Sequence, residues 1–196
     1  MIVRRGLSSV RMLIHARAHV LSRFAALCLA VTSVLAPAAD GPSRLDVRVK
    51  AAFLYRFTEY VDWPGSAFAS PDAPFVIAVL GDDGIADELV SVLANRDYGG
   101  RRFELKRLAE NEPIGDVHIL FVGRAREESE QVKAALRAPM LVVTDAVAMP
   151  ARGSTINFSV VGERIRFDVA LEDAERRGLK LSSRLLTVAQ TVRGGS

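Results

Sequence analysis

Few side chains in this 196-residue sequence are placed to do chemistry. Of its three histidines, His15 and His19 fall in a basic opening stretch and only His118 lies beyond it. His118 sits inside the apolar run VHILFVG, where a lone histidine reads as a hydrogen-bonded structural residue. The single cysteine, Cys28, also belongs to the opening stretch, so no second soft ligand is available for a transition-metal site. A nucleophilic triad would need His118 as its base at an exposed strand end, and no G-x-S-x-G elbow supplies the nucleophile.

The turn in VLGDDGIADEL follows an apolar run and opens a helical pattern, the place where phosphate cradles sit. Here Asp82 and Asp83 would repel a phosphate, and the three-glycine dinucleotide spacing is missing. Asp82, Asp83 and Asp87 could instead ligate a hard cation, although acids in a first helical turn already have a reason in the helix dipole. Asn157-Phe158-Ser159 matches a glycosylation acceptor but falls within an expected strand. No catalytic residue, cofactor or metal is expected.

Candidate contacts are therefore sought on surfaces. In VKAAFLYRFTEYVDWP (Val49–Pro64) helical spacing puts Val49, Phe53, Phe57, Tyr60 and Val61 on one face, with Leu54 at its edge. Tyr55, Thr58, Glu59 and Asp62 fall opposite. Lys50 lies in the middle of the apolar face, where its stem either snorkels to water or carries the ammonium to a carboxylate across an interface or pocket. Tyr55 on the polar face and Trp63 before Pro64 are candidate aromatic anchors, Trp63 also reading as a plug at the helix end. Glu59, Arg164 and Arg166 complete the expected partner-binding set.

The elements that position these groups follow from periodicity. A flexible lead-in over 40–46 precedes a helix beginning near Val47 and ended by Pro64 and Gly65. FVIAVLG, VHILFVG and MLVVTDA are continuous apolar runs, as in strands buried on both faces. Helical patterns follow the first two, over DDGIADELVSVLAN and REESEQVKAALRA, and RRFELKRL alternates as an edge strand after the turn DYGG. Ile156, Phe158 and Val160, then Ile165, Phe167 and Val169, alternate around Gly162-Glu163 as a hairpin whose outer face bears Arg164, Arg166 and Asp168. LEDAERR forms a short helix closed by Gly178. A last helix, capped by Ser182 or Ser183, carries a stripe of Leu181, Leu185, Val188, Ala189 and Val192. The fold class is α/β: a single domain over 47–193, with a largely parallel sheet, helices on both faces and a C-terminal β-hairpin and helix.

Residues 1–39 read as a signal peptide. Arg4, Arg5, Arg11, Arg17 and Arg23 precede the short apolar run FAALCLAVTSVL, and small residues follow, placing cleavage near Ala38 or Ala39. Leu27 before Cys28 argues against lipidation. Cleavage removes five basic and no acidic residues, leaving 21 of 26 Lys+Arg against 23 Asp+Glu, a formal charge of −2. The basic pI thus belongs to the leader and gives no support for nucleic-acid binding. Export to the periplasm is expected.

VKAAFLYRFTEYVDWP, VLGDDG, DVHILFVG and INFSVVGERIRFDVALEDAERRGLKLSSRLLTVA together resemble the YfiR-type periplasmic family over about Val49 to Val192. The resemblance implies a regulator, not an enzyme: a periplasmic repressor that binds the sensor region of an inner-membrane diguanylate cyclase, lowering cyclic-di-GMP and biofilm formation. It further implies an OmpA-like outer-membrane lipoprotein that can sequester the repressor. A homodimer stays open, as does the alternative of a periplasmic small-molecule-binding module using the crevice at the strand ends. Some relatives carry disulfide-forming cysteine pairs that are missing here. Relatives often have Asn where this chain has Ala170.

Overall fold

The computed structural model describes residues 43–124, 133, 138–146 and 153–194. The expected leader lies outside them, as does the helix expected over REESEQVKAALRA apart from Lys133, which is helical, and Ala138, which is not.

Helix α1 (Arg44–Tyr60) starts three residues earlier than its apolar periodicity suggests. Ser43 accepts from the Asp46 N–H at 3.1 Å while the Asp46 carboxylate accepts from Ser43 N–H at 3.3 Å. This reciprocal cap satisfies donors that otherwise have no intrahelical partner, so residues 44–46 belong to the helix and not to a lead-in. At the other end the chain leaves helical geometry at Val61, before Pro64 is reached. Strand β1 (Val61–Asp62) then pairs antiparallel with β9 (Lys180–Leu181).

Strand β2 (Phe75–Leu80), helix α2 (Asp83–Leu93) and strand β4 (Arg101–Leu108) form the first right-handed β-α-β crossover. Between α2 and β4, Asp97–Tyr98 (β3) folds back on Arg101–Arg102 through Gly99 and Gly100, both at positive φ, as a two-residue hairpin requires. Strands β5 (Ile119–Val122), β6 (Leu141–Thr144) and β7 (Ile156–Val161) extend the sheet from the other side of β2, all parallel. Strand β8 (Arg164–Ala170) returns antiparallel to β7 through Gly162 and Glu163, again both at positive φ. The order is β10-β8-β7-β6-β5-β2-β4-β3, with β10 (Thr191–Arg193) at one edge. The expected α/β class and largely parallel sheet are therefore observed.

Two cores result. On one face α1 and α2 cover Phe75, Ile77, Val79, Ile119, Phe121, Leu141 and Val143, with Phe158 and Phe167 from the hairpin. On the other, Val76, Ala78, Leu80, Leu120, Val122 and Val142 meet Leu108, Ile114, Val117 and Met140. Each fully buried Phe or Leu is worth roughly 1.5–3 kcal/mol, so the interior is held mainly by this burial. The buried stripe of α1 is rotated from the expected one: Lys50, Ala51, Leu54, Phe57 and Thr58 are buried, while Phe53 and Tyr60 are half-buried. The helix is covered on two sides, by the sheet and by α2. Thr58, expected on the polar face, tolerates burial because its hydroxyl donates to the Tyr55 carbonyl at 2.7 Å.

The C-terminus departs most from expectation. Helix α3 (Leu171–Arg176) ends as expected: Gly178 and Leu179 donate back to Glu175 and Ala174 with Gly178 at φ 72°. The last helix, α4 (Ser183–Val188), is capped by Ser182 but spans six residues. Beyond it Thr191–Arg193 joins the sheet parallel to β8, so Val188 and Val192 are exposed instead of completing a helical stripe. Sheet hydrogen bonds to the open edge of β8 outcompete one more marginal helical turn.

Candidate functional site

At the carboxyl ends of the parallel strands charges converge. Lys50, on α1, is 4% exposed and places Nζ 2.9 Å from Oδ2 of Asp145, just beyond β6. Arg124, following β5, donates from Nε to the Asp145 carbonyl at 3.2 Å, and its Nη2 lies 3.7 Å from the same carboxylate. A buried ammonium needs such a partner, since desolvation alone costs several kcal/mol. Lys50 therefore does reach a carboxylate, but within its own fold; it neither snorkels nor meets an outside partner.

Where strand order reverses, between β2 and β5, the two strand ends are held close together. Gly123 N–H donates to the Leu80 carbonyl at 2.8 Å. A Cβ on Gly123 would stand 2.5 Å from the Gly81 oxygen. The aspartates beside it are spent locally: Asp82 caps α2 through the Ile85 N–H, and Asp87 and Asp83 pair with Arg107 at 2.7 and 3.9 Å. Among the described residues no three His, Cys, Asp or Glu side chains gather to hold a metal ion.

His118 and Trp63 belong to an aromatic stack at the opposite, amino end of the sheet. The His118 ring packs against both Phe68 and Phe75, with centroids at 4.4 and 4.7 Å. Its Nδ1 accepts the Val76 N–H at 3.0 Å, while Nε2 makes no hydrogen bond of normal geometry. Burial pushes the ring below the ordinary histidine pKa, and the Ala67 backbone offsets this only in part. Trp63 is 9% exposed, donates from Nε1 to the His118 carbonyl at 3.2 Å and meets Phe75 edge-on. It plugs the helix end and is not an exposed anchor.

Tyr55 is half-buried. Its ring meets Phe103 edge-on at 5.9 Å, and the Arg96 guanidinium lies over it at 4.3 Å. Core packing, not a partner, accounts for an aromatic on that face. Glu59 is exposed and pairs with Arg56 at 2.6 Å, one turn back on α1. Arg164 and Arg166 are exposed on the outer face of β8, where the alternation puts them.

Sequence reasoning missed three structural polar groups. Asp145 was legible in principle, as an acid ending a buried strand in a chain with a lysine on an apolar helix face. Arg177 is buried and donates to Met140 O, Thr155 Oγ1 and Gly153 O; burial lowers its pKa, with the Asp173 charge opposing. The Asn157 Oδ1 accepts from Thr144 Oγ1 and Ala146 N–H, both at 2.8 Å, and Asn157 is 5% exposed, which removes it as a glycan acceptor. Nothing in the local pattern marked either residue.

What remains is an α/β domain in which Lys50, Asp145, Asn157 and Arg177 are committed within the fold and whose candidate contacts are on its outside. The model of the YfiR/HmsC-like family matches residues 47–190, and the chain belongs to that family. Membership supports a regulatory role in cyclic-di-GMP signalling. No curated protein matches the chain. Among the described residues no helix is long and apolar enough to cross a membrane.

Proposed function

We propose that the chain is a periplasmic repressor that binds the periplasmic region of an inner-membrane diguanylate cyclase and lowers cyclic-di-GMP. Family membership over residues 47–190 carries this reading. The chemistry of the domain supports it: Lys50, Asp145, Arg177 and Asn157 are occupied in holding the fold. His118 is enclosed by rings, not presented to a substrate. A small-molecule module using the crevice at the strand ends is the alternative reading, and the close approach of Gly123 to Gly81 narrows that crevice between β2 and β5. An OmpA-like outer-membrane lipoprotein would relieve repression by competing for the repressor. Deleting the gene in its own host is expected to raise cyclic-di-GMP and surface attachment, with restoration by the wild-type chain. Unchanged cyclic-di-GMP in a strain that expresses the cognate cyclase would contradict the proposal.

A further inference from the structure

Arg44, Arg102 and Arg184 are exposed singly on α1, β4 and α4 and Arg177 is buried; the other described arginines divide into two groups. Arg48, Arg56, Arg107, Arg124 and Arg176 each face a carboxylate, and Arg96 and Arg101 each lie over an aromatic ring. Arg164, Arg166 and Arg193 have no such partner, and all three project from one sheet face. The register fixes this placement. Ile165, Phe167 and Val169 point into the core, so Arg164, Arg166 and Asp168 point away from it. Across β7, Val161 stands opposite Arg164 and Ser159 opposite Arg166. On the other side Arg193 pairs with Ala170 and so shares the outward face. Arg164, Arg166 and Arg193 are exposed, and Val161 at the hairpin end is 47% exposed. Beneath them the Ser159 hydroxyl is buried without a hydrogen-bond partner.

We infer that this face of the β7–β8–β10 ribbon is where the repressor docks an acidic segment of its partner. The inference rests on the repressor reading above and names its contact surface. Alternate residues of a strand are about 7 Å apart, which spaces Arg164 from Arg166, and Arg193 stands about 14 Å from Arg166. Three cations at these intervals match carboxylates on alternate residues of an extended segment laid along β8. Each arginine fork takes a carboxylate in a bidentate pair, which a lone lysine charge would not reproduce. Val161 gives the segment an apolar stop at one end. Asp168, partly buried between Asn157 and Thr191, is the only acid on these rows and lies between Arg166 and Arg193, so the segment carries a neutral residue at that step.

Two probes test this. The first is a fluorescent peptide of about eight residues with glutamate at its first, third and seventh positions, serine at the fifth and valine between, titrated into the purified protein by anisotropy. Binding is expected to weaken about tenfold between about 20 and about 300 mM salt. It should vanish in Arg164→Glu/Arg166→Glu and persist in Arg102→Glu, an exposed arginine near the far edge of the sheet. No saturable binding, or equal binding by the Arg164→Glu/Arg166→Glu variant, would overturn the assignment of the face. The second probe is the purified periplasmic region of the cognate cyclase. Binding by wild type and about tenfold or greater loss in the double variant supports the inference. Undiminished binding by the double variant overturns the face and leaves the repressor reading intact. Binding of the peptide but not of the cyclase region overturns that reading while the face stands. A salt-sensitive homodimer abolished by the double variant would assign the face to a second copy and overturn the proposed occupant.

Discussion

The two halves of the sheet solve different problems with the same residue types. In the parallel half, β2, β4, β5 and β6 lead to a charge cluster at their carboxyl ends, where Lys50, Asp145 and Arg124 neutralise one another within 4 Å. In the antiparallel half, β7, β8 and β10 bury one face on Phe53, Phe57 and Leu185 and turn the other outward with arginines that no described acid meets. A charge satisfied inside the fold contributes to holding it; a charge left unsatisfied on an ordered surface is available for a partner. On the proposed reading the contact surface lies in the half whose strands are exposed on one face, although the parallel half looks more like a ligand-binding fold.

This contrast can be broken by exchanging the roles of the two charge sets. Asp145→Ala strands the Lys50 ammonium in the interior. Urea unfolding should show a loss of about 3–5 kcal/mol, with recovery to within about 1 kcal/mol of wild type in Lys50→Met/Asp145→Leu. A loss below about 1 kcal/mol in Asp145→Ala would mean that water already solvates the pair.

His118 sharpens the contrast at the other end of the parallel strands. Its folded pKa lies below the ordinary value of 6.5 because burial disfavours the imidazolium. Below pH 6.5 the unfolded chain therefore binds more protons than the folded one, and stability falls as pH drops, by at most about 1.4 kcal/mol per pH unit from this group. The loss continues until the folded ring itself protonates. His118→Asn, which keeps an acceptor for the Val76 N–H, should flatten that slope between pH 6.5 and about 5 in thermal melts. An unchanged slope would assign the acid sensitivity to other groups.

A smaller effect concerns the ribbon's own end. Ala170 occupies the N-cap of α3 in extended geometry, φ −101° and ψ 91°, and provides no side-chain acceptor. Ala170→Asn should stabilise the domain by about 0.5–2 kcal/mol, read as a rise in Tm. No rise would indicate that the Thr155–Ala170 and β10 pairings hold the helix start regardless of a cap. Smallest of all should be the stability change in Arg164→Glu/Arg166→Glu, within about 0.5 kcal/mol, because neither side chain is tied to the fold. A larger loss would make these arginines structural and erase the distinction between the halves.

The sequence carried the parallel strands most clearly, because strands buried on both faces read as unbroken apolar runs: Phe75–Leu80, Ile119–Val122 and Leu141–Thr144 are buried throughout. The hairpin was equally plain, since Gly162-Glu163 separates two alternating runs with one apolar face. The failures share a cause. A helical projection of Lys50 and Tyr55 treats α1 as having one covered side, whereas α2 and Phe103 cover others. The closing helix was lost for a related reason: its stripe of Leu185, Val188 and Val192 is compatible with a helix, but an open sheet edge at β8 offered Thr191–Arg193 hydrogen bonds that no local pattern reveals. Arg164 and Arg166 were legible because an alternating strand fixes its outward positions by period alone.

The most direct test of the account is a calorimetric titration of the purified wild-type chain with the periplasmic region of its cognate diguanylate cyclase. Saturable, salt-weakened binding without consumption of any metabolite is the predicted result. Absence of binding between two folded partners at low salt would contradict repression by surface contact.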